Sequence, residues 1–110
     1  MGYDFHITRA DHWIDSGQKP ITADEWLALV EKDQSLIIDP RENGPCFALW
    51  VEHRVNHDFP WFNWSGGEVY ANRPDRKTLG KMVQLAKQLA AHVQGDEGEV
   101  YLQAEDLPEK

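Results

Sequence analysis

The chain has a single cysteine, Cys46, so no internal disulfide can staple it, and a lone thiol fits a reducing compartment. No apolar run approaches the roughly 20 residues that a membrane-spanning helix needs. The opening Met1-Gly2-Tyr3-Asp4-Phe5-His6 has neither the basic region nor the apolar run of a secretory signal. It also places His6 where a myristoylation site requires Ser or Thr. Positive charge is scarce: eleven Lys and Arg against nineteen Asp and Glu leave a net charge of −8. That balance opposes any mechanism that neutralises phosphates over a broad surface. A cytoplasmic protein without nucleic-acid or membrane partners is expected. Asn63-Trp64-Ser65 matches a glycosylation acceptor, a chance match in a chain with no export signal.

Catalytic patterns are missing as well. Ser16-Gly17 and Ser65-Gly66 belong to no Gly-x-Ser-x-Gly sequence. Gly66-Gly67 joins strand to strand instead of strand to helix, so it is no phosphate cradle. Cys46 has no adjacent base, helix start or second cysteine to lower its pKa, and reads as a small buried filler. There is no internal repeat, linker or low-complexity tract. No catalytic residue and no cofactor is expected.

What is present is a surplus of aromatics, five Trp, four Phe and three Tyr among 110 residues, enough for one continuous core. A single domain is expected over residues 1–103, with a frayed acidic tail at 104–110. The strongest periodic signal covers residues 73–93. Leu79, Met82, Val83, Ala86, Leu89, Ala90 and Val93 form an apolar stripe at about 100° per residue, with Lys77, Lys81, Gln84 and Gln88 opposite. A long helix is predicted there, stopped by Gly95 and Gly98. Thr22 with Glu25 three residues later is a capping box, and Ile21 can staple onto Trp26, predicting a short helix ending near Asp33.

Strands are predicted where Tyr3, Phe5 and Ile7 alternate with Asp4, His6 and Thr8, at Leu36-Ile37-Ile38, at 46–51 with both faces apolar, and at Val100-Tyr101-Leu102. A turn of helix is expected within residues 10–16, and turn chemistry at 41–45. Trp61-Phe62-Asn63-Trp64 and Val69-Tyr70-Ala71 flank a Gly66-Gly67 loop as a hairpin, with Trp64 opposite Val69, Phe62 opposite Ala71 and Asn63 opposite Tyr70. The expected class is α+β: a mostly antiparallel sheet of about five strands with a short N-terminal helix and a long C-terminal helix packed on it.

The segment from Tyr3 to Trp13, the Pro20-Ile21-x-x-x-Glu25-Trp26 stretch and the close Val93-Gln94-Gly95-Asp96-x-Gly98-Glu99-Val100-Tyr101 together resemble a group of small uncharacterised bacterial proteins. The resemblance implies a single bacterial domain and brings no activity with it.

Three sets of residues are candidates for function. Trp61 and Tyr70, on the outward side of the hairpin and joined by Trp13, form either a platform for a sugar ring, a single-stranded base or a partner side chain, or a side of the sheet that the other helix or the N-terminal turn covers. Arg73, Lys77 and Lys81, spaced by four, form either a solvated helix face or a docking strip for an acidic partner, including a second copy. His53 and His57, also four apart, with Asp58 and Glu52 beside them, are candidate metal ligands of a metal-dependent enzyme, against the plainer reading of an exposed polar loop. His6, His12 and His92 have no such grouping. The leading expectation is a non-enzymatic interaction domain acting on a protein partner or on itself. One concrete form is an inhibitor whose acidic surface captures a basic toxin.

Overall fold

The computed structural model describes residues 3–39 and 44–102. The acidic tail expected at 104–110, and residues 41–43 of the expected turn, lie outside the described residues. In chain order the elements are β1 (Asp4–Thr8), a 3-10 helix (Trp13–Gln18), α1 (Ala23–Lys32), β2 (Leu36–Ile38), β3 (Phe47–Trp50), β4 (Trp61–Ser65), β5 (Glu68–Asn72), α2 (Arg76–Gln88), β6 (His92–Gly95) and β7 (Val100–Tyr101). The strands make one seven-stranded sheet in the order β2-β3-β4-β5-β1-β6-β7, antiparallel at every pairing. The fold is thus α+β, with two corrections: among the described residues the sheet has seven strands instead of about five, and there is no long C-terminal helix. No helix among the described residues is long and apolar enough to cross a membrane.

α2 has 13 residues, and both of its ends depart from the periodic stripe for local reasons. At the start, Arg73 precedes Pro74, and the residue before proline is pushed out of helical conformation. Asp75 then caps the helix, its side chain accepting from the Thr78 N–H. At the end, Leu89 is the C-cap and Ala90 turns left-handed at φ 55. Ala91 N–H reaches back to Ala86 O at 2.9 Å and Ala90 N–H to Lys87 O at 3.3 Å, which is a Schellman closure. Glycine usually occupies the left-handed position, so an alanine there hides the helix end. Val93 is fully buried and suits the helical stripe and a strand equally, so periodicity runs on into what is β6.

One face of the sheet packs on both helices. Phe5, Ile7, Phe62, Val69, Ala71 and Val93 share a buried cluster with Trp26, Leu29 and Val30 of α1 and Leu79, Met82, Leu85 and Ala86 of α2. The Thr22–Glu25 capping box forms in both directions, and Ile21 and Trp26 are both fully buried. The hairpin keeps the expected register, Asn63 opposite Tyr70 and Trp64 opposite Val69. Gly66 at φ 61 and Gly67 at φ 95 supply the two left-handed residues of its turn. Arg9 ties the layers, donating to Leu89 O at the end of α2 and pairing with Glu25 of α1 at 2.9 Å.

Two further expectations are corrected. The alternation in β1 predicts one core side and one outward side, but His6 and Thr8 are as buried as Phe5 and Ile7. The two apolar faces of 46–51 predict a strand covered on both, but Phe47 and Leu49 of β3 are only half-buried.

Ala90→Gly removes the steric conflict of a left-handed alanine and should raise stability by about 0.5–1 kcal/mol, a rise of a few degrees in Tm. Thermal unfolding of the purified variant checks this, and an unchanged or lower Tm would contradict the Schellman assignment.

Candidate functional site

The two halves of the sheet's second face differ. Over β1, residues 9–20 fold back as a cover. Trp13 stacks on the His6 ring with centroids 4.0 Å apart and planes 2° from parallel, and Thr8 Oγ1 lies 2.7 Å from Ser16 Oγ. The cover continues across the hairpin turn, where a Cβ on Gly67 would lie 2.7 Å from Ser16 O. Over β3, β4 and the outer part of β5 no helix of the described residues lies. There Phe47 and Trp61 stack at 5.1 Å, and Trp61 meets Tyr70 edge-on at 5.7 Å. Leu49 and the 47% exposed Ile37 extend this strip to the β2 edge.

At the end of the strip a cleft of about 530 Å³ opens between the 51–60 loop and the connection from β5 to α2. Trp61, Leu49, Pro60 and Pro74 supply apolar walls, and Arg54, His57, Asp58, Arg73 and Thr78 supply polar groups. Trp61, Arg73, His57 and Asp58, candidates from three separate sequence arguments, therefore line one cavity. Tyr70 touches the strip beside it. Trp13 lies on the same face, but its ring is committed to His6 and its indole N–H to Asp96 O at 3.0 Å.

The basic strip does not survive as predicted. Lys77 is exposed, but Lys81 is 9% exposed, its ammonium 2.7 Å from Asp33 Oδ2 and 5.8 Å from the centre of the Trp50 ring. Burial pushes the Asp33 carboxyl up, and hydrogen bonds from Lys81 and Ser35 outweigh it, holding the group below the ordinary carboxylate range. Lys81 is therefore a core residue that packs its stem and buries its head in an ion pair. Arg73 stands before the helix, not on it.

The two candidate histidines part company. His53 Nε2 lies 2.8 Å from Asp75 Oδ2, completing the cap of α2, whereas His57 lies left-handed at φ 74 at the cleft. Among the described residues no group of three or more His, Cys, Asp or Glu side chains is placed to hold a metal ion. Glu52 lines a different depression, with Lys81 and Trp50.

The most concentrated polar chemistry involves residues that sequence reasoning passed over. His6, 3% exposed, has Nδ1 at 2.5 Å from Glu68 Oε1 and Nε2 at 2.8 Å from Asp96 Oδ1. Burial pushes its pKa down, but the hydrogen bonds to Glu68 and then Asp96 outweigh burial and raise it. Both ring nitrogens are consumed, so this imidazolium has no proton or lone pair to offer a substrate. Gln94, fully buried, accepts from Trp13 N–H at 2.8 Å and donates to Asp11 O at 2.7 Å. The partners of His6 lie 62 and 90 residues away, so no local spacing could group them. The polar residue at an inward position of β6 was a signal, hidden by the helix reading of residues 91–93.

His6 gives stability a defined pH dependence. Its raised pKa means that its contribution is complete below the ordinary value of 6.5 and is lost as pH rises through the folded value. Asp96 runs oppositely. Burial pushes it up, the Asp4 N–H and His6 hold it below 3.8, and its contribution is lost as pH falls through that lowered value. The urea midpoint should therefore be flat from about pH 4 to 6.5 and fall above it, whereas His6→Gln should start lower and show no such fall. A wild-type midpoint that stays level from pH 6.5 to 9 would contradict the clamp.

No family model, no curated protein and no solved structure matches the chain.

Proposed function

We propose that the protein is a non-enzymatic interaction domain that docks a protein partner on the open aromatic strip of its sheet and the cleft at its end. The observation that carries this reading is the uncovered row of Phe47, Trp61 and Tyr70 beside exposed Ile37, on the half of the face that residues 9–20 do not reach. Aromatic side chains that are half-buried in the free chain are the usual anchors of protein interfaces. Their rings pack on one another as a ridge, a shape suited to an apolar partner surface more than to separate flat sugars or bases. Polar chemistry elsewhere is committed: the His6 clamp is sealed, and burial raises the pKa of the Cys46 thiol.

Placing a photo-crosslinking amino acid at Ile37, on the strip, and at Glu31, on the exposed side of α1, tests the reading in cells expressing the protein. Discrete adducts from position 37 and none from 31 are expected; adducts from neither position, or equally from both, would count against it. Trp61→Ala should remove those adducts while costing far less stability than Phe62→Ala. The latter empties a fully buried site and should cost about 3–5 kcal/mol.

A further inference from the structure

The cleft has a more specific chemistry than the strip. Its floor is the first turn of α2, where Thr78 is 1% exposed and its hydroxyl has no hydrogen-bond partner. A buried hydroxyl left unpaired is costly, and a ligand oxygen lodged against this floor would satisfy it.

Two arginines line the cleft above that floor. The Arg54 guanidinium lies 4.4 Å from the centre of the Phe59 ring and donates to His57 O at 3.0 Å, which leaves most of its five N–H donors unspent. Arg73 is fixed by its backbone: φ is 47, and its N–H donates to Tyr3 O at 2.9 Å. Glycine would take that conformation freely, and arginine does not. His57 at φ 74 lines the cleft from the other loop, next to Asn56 at φ 53. Three of the four left-handed non-glycine residues among the described residues therefore belong to the two segments that bound this cleft.

In a chain of net charge −8, the exposed Arg54 and Arg73 line the same cleft. Two carboxylates also line the cleft, Asp58 and Asp75, and the oxygens of Asp75 are engaged by Thr78 N–H and His53.

We propose that the cleft receives a carboxylate of the partner, from an Asp or Glu side chain flanked by an apolar residue. Arg73 and Arg54 grip its oxygens, the Thr78 hydroxyl donates from the floor, and the apolar neighbour rests on Trp61. This rests on the interaction reading above and adds the chemistry of the partner: an acidic, apolar segment that pairs with the two arginines of the cleft.

Fluorescence anisotropy with three labelled pentapeptides tests it: Glu-Phe-Glu-Leu-Glu, and the same sequence with every Glu replaced by Gln or by Lys. The acidic peptide should bind at least about tenfold tighter than the Gln peptide, the difference expected of a charge-assisted pair. The Lys peptide should bind weakest. Arg73→Gly should erase the acidic-over-Gln preference without lowering Tm, since it removes the charge and also relieves the backbone. Thr78→Val should weaken the acidic peptide by about threefold while leaving or raising Tm, because the lost hydroxyl has no partner in the free chain. Equal binding of the acidic and Gln peptides, a preference that survives Arg73→Gly, or no binding of the acidic peptide would each overturn the carboxylate assignment. If crosslinks from position 37 persist and still depend on Trp61, the interaction reading stands without it. If they are absent too, both fall.

Discussion

The structure depends on β1 being paired on both edges, with β5 on one side and β6 on the other. A strand in the middle of a seven-stranded sheet leaves no backbone donor facing water, but it obliges the chain to cover both faces of whatever side chains it carries. Phe5 and Ile7 are covered by the helices, an ordinary hydrophobic solution. His6 and Thr8 require a second cover, and the chain provides it at once with residues 9–20. That segment is anchored by stacking on His6 and by the buried amide of Gln94. Its length fixes its reach: it crosses β1 and the hairpin turn, and stops. The open strip over β3, β4 and outer β5 is what one short cover leaves behind on a seven-stranded sheet.

The fold uses polar chemistry where apolar packing would serve a simpler one. An imidazolium between two carboxylates, a fully buried glutamine and the Lys81–Asp33 pair all carry desolvation costs that their hydrogen bonds must offset. Such groups tolerate little misplacement, since removing one partner strands the other. They act as registration marks: Gln94 meets Trp13 N–H and Asp11 O only if β6 pairs with β1 in the observed register, because a slip of one residue would turn Gln94 to the helix side. An apolar residue at position 94 would bind the cover less selectively.

The local grammar of the chain was legible wherever a signal acts over a few residues. The Thr22–Glu25 box, the Gly66-Gly67 hairpin and its register, and the apolar face of Met82, Ala86 and Leu89 all follow from spacing alone. Three features were not legible, each for a physical reason. Ala90 ends a helix in a conformation that sequence reasoning reserves for glycine, so α2 read too long and β6 vanished into it. Lys81 lies among apolar residues because Asp33, distant in sequence, supplies its counter-charge, and without the fold it read as solvated. The candidate residues were named, but their convergence was not. Trp61, His57, Asp58 and Arg73 belong to different loops and strands, and only the antiparallel return of β5 toward α2 brings them around one cleft.

The location of backbone strain carries the last step. Left-handed Ala90 is offset within the fold by the Schellman bonds it permits, so its cost has a structural return. No comparable return explains Arg73. Its N–H bond to Tyr3 O is a backbone contact that glycine could make equally well, so the bond accounts for the conformation and not for the side chain. A chain shaped by stability alone would favour glycine there, as it has glycine at both left-handed positions of the hairpin turn. Arginine in that conformation directs attention to what the guanidinium does, and the cleft it lines holds an unpaired hydroxyl, a second arginine, two carboxylates and an apolar wall. Strain of this kind concentrates where side-chain position matters more than backbone comfort. Here it falls at the end of the uncovered strip, where the geometry of the fold had already left a surface without a partner.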